Sequence, residues 1–264
     1  MNDQQLTIRI APMHDLPHFQ SCVDLQIDVW GYSDGDVIPR RMFLLADRIG
    51  GQVLGAFDGE KVAGFAMSLP GYRDGQPYLH SHMLAVLPEY RNLGLGRRLK
   101  LAQRDDALAR GFELMEWTFD PLEIKNAYLN IERLGAICRR YQPDFYGPSS
   151  SPLQGGLPTD RLYAEWWLRS PRVLNHLGEN GGQGIDAAPN TDTALLSEQV
   201  VVPHKLQEWK QRSSTRELAL GIQRQNREAL QAAFGRGLAI TRYRRESNGD
   251  GCFLLSAFNS AEKY

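Results

Sequence analysis

The chain has 264 residues, a formal net charge of −1, and 42% hydrophobic and 23% charged residues, which is typical of a globular protein. This charge gives no reason to expect attraction to nucleic acid or to an anionic membrane. Neither a secretory signal nor a run of about 18 apolar residues is recognisable, so no transmembrane helix is expected. Cys22, Cys138 and Cys252 are widely spaced, which argues against a disulfide framework or a zinc site and favours reduced thiols in a cytoplasmic protein.

Hydrophobic periodicity and turn residues predict the elements of the amino-terminal part in chain order. They are a strand at 6–10, helices at 16–29 and 39–49, a hairpin of strands 52–57 and 61–69, a strand at 78–87, a helix at 95–110, a strand at 113–119, a helix at 120–135 and strands at 137–141 and 161–168. A meander combined with a β-α-β crossover predicts an α/β fold with a mixed central sheet and helices on both faces.

The remaining sequence predicts a smaller α/β part after a linker. Residues 171–193 include a stretch rich in Gly and Asn without periodicity, which is typical of a linker. A strand at 194–202, a polar helix or helix pair at 205–234 and a hairpin of strands 238–245 and 252–258 follow. We therefore expect a main domain at 1–170 and, at 194–264, either a C-terminal extension of the first sheet or a small subdomain.

The most informative stretch, residues 80–99, predicts a strand, a glycine turn and the start of a helix. Gly94 and Gly96 allow a tight turn, and the helix from Leu95 points its first N–H groups at that turn, as a pyrophosphate site requires. A Walker loop would need Gly-Lys-Ser/Thr after the turn, and a dinucleotide fingerprint would need glycine at Leu99, so both motifs fail. An ordinary strand-to-helix turn is the alternative.

Residues 86–96, Val-Leu-Pro-Glu-Tyr-Arg-Asn-Leu-Gly-Leu-Gly, resemble the acetyl-CoA-binding motif of the GNAT N-acetyltransferase superfamily. That motif is Arg/Gln-x-x-Gly-x-Gly/Ala after a strand ending in Val-x-Pro, and the predicted elements match the fold over residues 6–169. The resemblance implies an acyl-CoA-dependent N-acyltransferase that moves acetyl from acetyl-CoA to a primary amine in a ternary complex, without a metal. It implies coenzyme contacts at Leu84, Ala85, Val86, Arg91, Asn92, Leu93, Gly94, Leu95, Gly96, Arg97 and Arg98.

Two histidines precede this turn and are candidate bases. Strand alternation predicts that His80 and His82 share one face with Leu84 and Val86. An alkylammonium with a pKa near 10 must lose a proton before it attacks, and a histidine that titrates near neutrality can accept that proton. The His-x-His strand is similar to that of the arylalkylamine (serotonin) N-acetyltransferases, which implies a place for both histidines on the proton-removal path. A structural histidine pair is the alternative.

The candidate general acid is less clear from the sequence. The family usually carries a tyrosine on its fourth helix that protonates the leaving thiolate, but the alignment places Ile131 there. Tyr128, Tyr141 and Tyr146 are nearby in sequence, and bulk solvent is a further proton donor. The thiol's reference pKa, near 8.5, makes an acid less necessary than for an alkoxide.

Three further polar residues are candidates in the same region. The resemblance implies that Asn126 and Asn130 contact the coenzyme's amides, with a helix surface or cap as the alternative. It also implies that Glu116, on the strand next to the histidine strand, is a second candidate base. Asp120 before a proline is predicted to be a helix N-cap.

The acceptor site is the least defined part. The resemblance implies that the loop containing Trp30, Tyr32, Asp34 and Asp36 walls it. Aromatic rings with carboxylates suit an amine with an apolar body, and a polar turn with one buried tryptophan is the alternative. Peptide, polyamine, arylalkylamine and antibiotic amines all remain open as acceptors.

The remaining predictions concern partners and the class of protein. Arg242 and Arg244 are predicted on one face of an edge strand guarded by charge. We expect no nucleic-acid or membrane partner, and a homodimer is left open. A protein that binds or senses acyl-CoA, with little transferase activity, is the alternative function.

Overall fold

The computed structural model describes residues 7–33, 35–179 and 196–258. The fold is mixed α/β with a large mixed sheet and helices, which confirms the predicted fold class. The chain divides into two compact units, residues 1–115 and 116–264. Across the described ranges, every helix is too short or too polar to cross a membrane.

The described part of the first unit contains four complete strands and three α-helices. They are β1 (Arg9–Pro12), α1 (Leu16–Trp30), α2 (Arg40–Arg48), β2 (Gln52–Asp58), β3 (Lys61–Arg73), β4 (Gln76–Val86) and α3 (Leu95–Ala109). The strands pair antiparallel in the order β1-β2-β3-β4. Asp15 is the N-cap of α1, because its carboxylate accepts the His18 N–H at 2.9 Å. The first strand begins three residues later than predicted.

Helices pack on both faces of the sheet in this unit. On one face, Phe19 of α1 and Phe43 of α2 pack with Phe65 of β3 in a cluster of fully buried rings. On the other face, Leu99 of α3 packs with Ala66 of β3. Removal of these apolar groups from water is the main force that holds the layers together.

The second unit contains the remaining elements. They are most of β5 (Leu114–Phe119), then α4 (Ile124–Ala127), a π-helix (Tyr128–Arg133), β6 (Tyr141–Gln142), β7 (Arg161–Trp167), α5 (Pro171–Leu177), β8 (Leu196–Val202), α6 (Leu206–Gln211), α7 (Arg216–Gly235), β9 (Leu238–Arg245) and β10 (Gly251–Ala257). β6 pairs antiparallel with β7, and a second sheet has the antiparallel order β8-β10-β9. Single bridges from Ile137 to Glu165 and from Cys138 to Ile240 join the segment after the π-helix to β7 and β9.

The predicted helix at 120–135 is wrong in its length and type. The Asp120 carboxylate accepts the Leu122 N–H at 2.9 Å, which closes a local turn, so Glu123 rather than Asp120 is the N-cap residue. Four α-helical residues follow and then the π-helix. The predicted strand at 137–141 is reduced to the two bridges and the short β6, because this segment pairs with β7 and β9 at single residues.

The predicted domain boundary at residue 170 lies inside the second compact unit. Residues 116–170 pack with the C-terminal segment, to which they are joined by buried ion pairs such as Asp160 to Arg227. Part of the predicted linker, Pro171–Leu177, is the helix α5. The rest of it, from residue 180 onward, lies outside the described residues.

Candidate active site

Strand β4 carries a β-bulge at the candidate base. Met67 pairs with Met83, but the next residue of β3, Ser68, pairs with Ser81, so His82 is an extra residue on β4. Met83 packs toward α1 and α2, whereas the Ser81 hydroxyl contacts α3. The prediction of unbroken alternation from His80 to Val86 is therefore wrong, because a bulge shifts the facing of the residues before it.

The two histidines nevertheless lie side by side. Their ring centroids are 6.0 Å apart and the rings are tilted by 39°, and both side chains are half-buried. Burial lowers the pKa of His82 below its ordinary value of 6.5, because desolvation disfavours the imidazolium. A neutral imidazole at neutral pH is the protonation state that a base needs.

The glycine turn leads directly into the N-terminus of α3. Asn92 and Gly94 have φ of 62° and 73°, and a side chain built on Gly94 would point into open space. Gly94 is the N-cap residue and has no side chain to accept from the first-turn N–H groups, and the first turn contains no acidic residue. Exposed N–H groups at a positive dipole end form a ready anion site.

Arginines fix this turn to the neighbouring strands. Arg91 Nε donates to the Val86 carbonyl at 3.2 Å, and Arg98 Nη2 donates to the Ile8 carbonyl at 2.5 Å. Leu95 is buried and anchors the first turn of the helix, while residues 91–94 are exposed. The resemblance implied coenzyme contacts for these arginines, and the structure gives Arg91 and Arg98 main-chain partners within the protein.

A buried polar cluster lies on the α3 side of the bulge. Lys100 Nζ donates to Ser81 Oγ at 2.7 Å, and Ser81 Oγ donates to Gln103 Oε1 at 2.9 Å. Ser68 Oγ donates to Gln52 Oε1 at 2.8 Å, so both residues at the register shift are held by side chains. Burial lowers the pKa of Lys100 well below its ordinary value. This cluster was not predicted from the sequence. The local sign of a buried polar group here is that Lys100 directly follows the apolar Leu99.

Within the second unit, Glu116 is engaged in a buried ion-pair cluster. Its carboxylate is 1% exposed and accepts from Arg140 Nη2 at 2.5 Å. Arg140 and Arg139 also pair with the buried Glu165. The Glu116 carboxylate is buried against Arg140, so this geometry favours a structural role for Glu116.

Tyr141 is also engaged in a buried network. Its hydroxyl donates to Asp160 Oδ2 at 2.5 Å, and Arg227 contacts both oxygens of the same carboxylate. Burial, together with the Asp160 hydrogen bond, raises the pKa of Tyr141 far above its ordinary value. Its proton is committed to Asp160, which makes Tyr141 a poor donor to a leaving thiolate.

The other candidates lie on or just before the π-helix. Tyr128 is its first residue and is half-buried, Asn130 is buried, and Asn126 precedes it on α4 with an exposed side chain. Ile131 is fully buried. Tyr146, the remaining tyrosine, contacts the Thr118 hydroxyl at 3.2 Å and is 47% exposed.

The aromatic residues proposed for the acceptor loop lie together. Trp30 and Tyr32 have ring centroids 5.4 Å apart, and Trp30 also contacts Phe65 edge-on at 6.4 Å. Asp34 lies outside the described residues. In the described ranges, no group of three or more His, Cys, Asp or Glu side chains could hold a metal ion.

The two arginines of β9 differ in their surroundings. Arg244 forms an exposed pair with Glu246 at 2.7 Å, as expected for a charged surface strand. Arg242 instead donates to the buried Glu132 on the π-helix at 3.2 Å. The prediction that both arginines are charged groups guarding an edge strand is therefore wrong for Arg242.

Comparison with known proteins gives a family match over the segment that contains β4 and the glycine turn. The model of the acetyltransferase (GNAT) family matches residues 19–128. This part of the chain is similar to the GNAT acetyltransferases. Curated proteins give no match to the sequence.

Solved structures with a TM-score of 0.50 share this fold at low sequence identity. A GNAT-family protein from Desulfovibrio desulfuricans has 14% identity and a TM-score of 0.50 over 61% of this chain and 99% of its own. An acetyltransferase structure from Acinetobacter baylyi has 16% identity and a TM-score of 0.50 over 64% and 97%. The yncA protein of Salmonella typhimurium, solved with its cofactor acetyl-CoA, has 18% identity and a TM-score of 0.48 over 61% and 94%.

The matched segment contains a turn whose geometry suits an anion such as a pyrophosphate. The positive φ angles of Asn92 and Gly94 and the open space in front of Gly94 leave room for an anion against the start of α3. The uncapped first turn supplies N–H donors there. Ile131, which lies just beyond the matched residues, is a buried aliphatic side chain and cannot donate a proton.

Proposed function

We propose that the chain is an acyl-CoA-dependent N-acyltransferase that moves acetyl from acetyl-CoA to a primary amine by direct attack in a ternary complex. The observation that carries the proposal is the order of features within the segment that matches the GNAT family. Half-buried histidines on β4 are followed by an open, uncapped helix N-terminus on α3. A base and an anion site thus lie on one strand-turn-helix unit.

We assign coenzyme binding to main-chain groups of this unit. The N–H groups of residues 92–97 would hold the pyrophosphate, and the main chain of Leu84, Ala85 and Val86 would bind the pantetheine arm as an added strand. Acetyl-CoA supplies an activated acyl group as a thioester. An N–H group of Leu84 or Ala85 would donate to the carbonyl oxygen where negative charge develops, which is an effective electrostatic contribution to catalysis.

We assign proton removal from the substrate ammonium to His82, with His80 as its neighbour. The ring distance of 6.0 Å allows a proton to pass between the two imidazoles through one water molecule. The lowered pKa of His82 keeps the ring neutral near pH 7. The similarity to arylalkylamine N-acetyltransferases supports this assignment. The assignment remains a proposal, and the identity of the amine is left open.

For the leaving thiolate, we favour Tyr128 over Tyr141. Tyr128 is half-buried at the start of the π-helix, whereas the Tyr141 hydroxyl donates to Asp160. Because a thiol has a pKa near 8.5, protonation by solvent is also adequate near neutral pH. The roles of Asn126 and Asn130 as contacts to the coenzyme's amides remain part of the proposal.

The test combines binding and turnover. Calorimetry with acetyl-CoA, followed by an assay of CoA release on a panel of peptide, polyamine, arylalkylamine and aminoglycoside amines, should show binding and turnover on at least one class. The His80→Ala/His82→Ala double variant should bind acetyl-CoA normally and lose most of its turnover at neutral pH. Full turnover of the double variant would refute the base assignment, and failure of the wild type to bind acetyl-CoA would refute the whole proposal.

A specific observation favours a second candidate function. Ile131 replaces the family's usual tyrosine, and the Tyr141 hydroxyl is held by Asp160. Both features suit a protein that binds or senses acyl-CoA with little transferase activity. Tight binding of acetyl-CoA with no CoA release on any amine would support this second function.

A further inference from the structure

We propose that the C-terminal strand β9 holds the π-helix in place and that Arg242 is a positioning residue for Tyr128 and Asn130. The catalytic consequence rests on the proposed function, whereas the structural claim can be tested without it. All of the residues involved belong to the second compact unit.

A π-helix is a rare conformation that occurs mostly as single turns, often at functional sites. Here it spans Tyr128–Arg133. Its end is closed by the Ala136 N–H, which donates to the Asn130 carbonyl at 3.0 Å, with Gly135 at φ 78°. Such a turn needs contacts from outside to keep it from rearranging to the commoner α-helix.

Glu132 provides the first of these contacts. Its side chain is buried, and one carboxylate oxygen accepts from the Tyr243 main-chain N–H at 2.5 Å and from Arg242 Nε at 3.2 Å. A buried carboxylate is costly unless it is paired and hydrogen-bonded. Both donors are on β9, so the low-energy position of Glu132 is defined by that strand.

Arg172 of α5 provides a second contact between the same two elements. Its Nε donates to the Gly135 carbonyl at 2.9 Å, and its Nη2 donates to the Thr241 carbonyl of β9. The Leu134 carbonyl also accepts from the buried Trp166 Nε1 at 2.7 Å. The carbonyl end of the π-helix is therefore held from β7, α5 and β9 together.

The contact at Glu132 lies within four residues of both candidate functional side chains. Asn130 is two residues before Glu132, and Tyr128 is four residues before it. A backbone shift at Glu132 would move both side chains, and a misplacement of about 1 Å can reduce a rate by roughly 100-fold. The C-terminal segment would in this way influence the reaction without touching a substrate.

The test compares two arginines of the same strand. Arg242→Gln removes the contact with Glu132, and Arg244→Gln removes only the exposed pair with Glu246. In hydrogen–deuterium exchange, we expect the amides of residues 128–136 to exchange roughly tenfold faster in Arg242→Gln, with the rest of the unit unchanged. Arg244→Gln should match the wild type.

Activity provides the second measurement. With acetyl-CoA and the best amine of the panel, Arg242→Gln should lower kcat by about tenfold at an unchanged KM for the amine. Arg242→Lys, which keeps the charge, should recover part of the loss. If Arg242→Gln does not fold, Arg242→Lys and Glu132→Gln take its place in both measurements.

The outcomes separate the two claims. Equal exchange at 128–136 in the Arg242 and Arg244 variants would overturn the structural claim. Uniformly faster exchange across the unit would mean general destabilisation and would also overturn it. Selective exchange with an unchanged kcat would overturn the positioning role alone. Absence of turnover and acetyl-CoA binding in the wild type would refute the proposed function, while the exchange result would still decide the structural claim.

Discussion

Replacement of Arg227 by methionine removes the guanidinium that pairs with a fully buried carboxylate. Asp160 is 0% exposed, and Arg227 donates to its two oxygens at 2.9 and 2.8 Å. Removing one partner of a buried ion pair costs about 3–5 kcal/mol. The Tyr141 hydroxyl and the Asp144 N–H remain as donors to Asp160, so we expect the low end, about 3 kcal/mol.

Urea and thermal unfolding of the purified chain would measure this loss. For a protein of this size, a loss of about 3 kcal/mol corresponds to a midpoint lower by roughly 6–12 °C. Arg224→Met is the matched control, because Arg224 lies on the same helix with an exposed side chain. A change below about 0.5 kcal/mol is expected for such a surface substitution.

A double variant tests the cause of the loss. If the cost of Arg227→Met comes from an unpaired buried charge, adding Asp160→Asn should recover part of it, because the amide is neutral. Additive losses in the double variant, or equal effects of Arg227→Met and Arg224→Met, would refute the reasoning.

Three further predictions follow from single residues. Gly94→Ala and Gly59→Ala, both at positive φ in open space, should each cost about 1 kcal/mol in unfolding experiments, but only Gly94→Ala should weaken acetyl-CoA binding in calorimetry. Burial lowers the pKa of His176 to about 4, so the folded chain binds fewer protons than the unfolded chain below pH 6.5. The free energy of unfolding should therefore fall by about 3 kcal/mol as the pH decreases from 6.5 to 4, and urea titrations of His176→Gln should show a smaller fall. Because the pKa of His82 is lowered, the acid limb of kcat/KM should lie below pH 6.5 and disappear in His82→Gln; a limb above pH 6.5 would contradict the assignment.

Local sequence patterns were sufficient to predict the strand, glycine turn and helix around residue 94. Alternation predicted β4, and the glycines followed by apolar helical spacing predicted the start of α3. These signals depend only on neighbours within a few residues, which is why they can be detected in one sequence. The family resemblance rested on the same stretch, and the family comparison confirmed it.

The bulge at His82 could not be predicted in this way. It is defined by the pairing of Ser68 with Ser81, and both serines are held by buried side chains from β2 and α3. Register across two strands depends on such distant contacts rather than on alternation within one strand. For this reason, the prediction that His80 shares a face with Leu84 and Val86 by regular alternation is wrong. The His80 and His82 rings nevertheless lie close together.

The π-helix was missed for a related reason. The spacing in 120–135 suits an α-helix, but the partners of Glu132 on β9 follow more than 100 residues later. The sequence pattern predicted that Arg242 is a surface charge, because nothing near it in the sequence indicates a buried partner. Tertiary contacts here override a local preference.

Buried ion pairs also determine how far along the chain the second unit extends. The buried carboxylates of Glu132 and Asp160 take their guanidinium partners from Arg242 and Arg227, beyond the predicted boundary at residue 170. With about 3 kcal/mol for Asp160 and about 3–5 kcal/mol for Glu132, the loss of both partners would cost about 6–8 kcal/mol together, which is comparable to the whole stability of a typical domain. Residues 116–170 therefore need the C-terminal segment for their own stability. A catalytic domain ending at residue 170 would lack the groups that neutralise its interior, so the C-terminal segment belongs to the same folded unit as the candidate acid Tyr128.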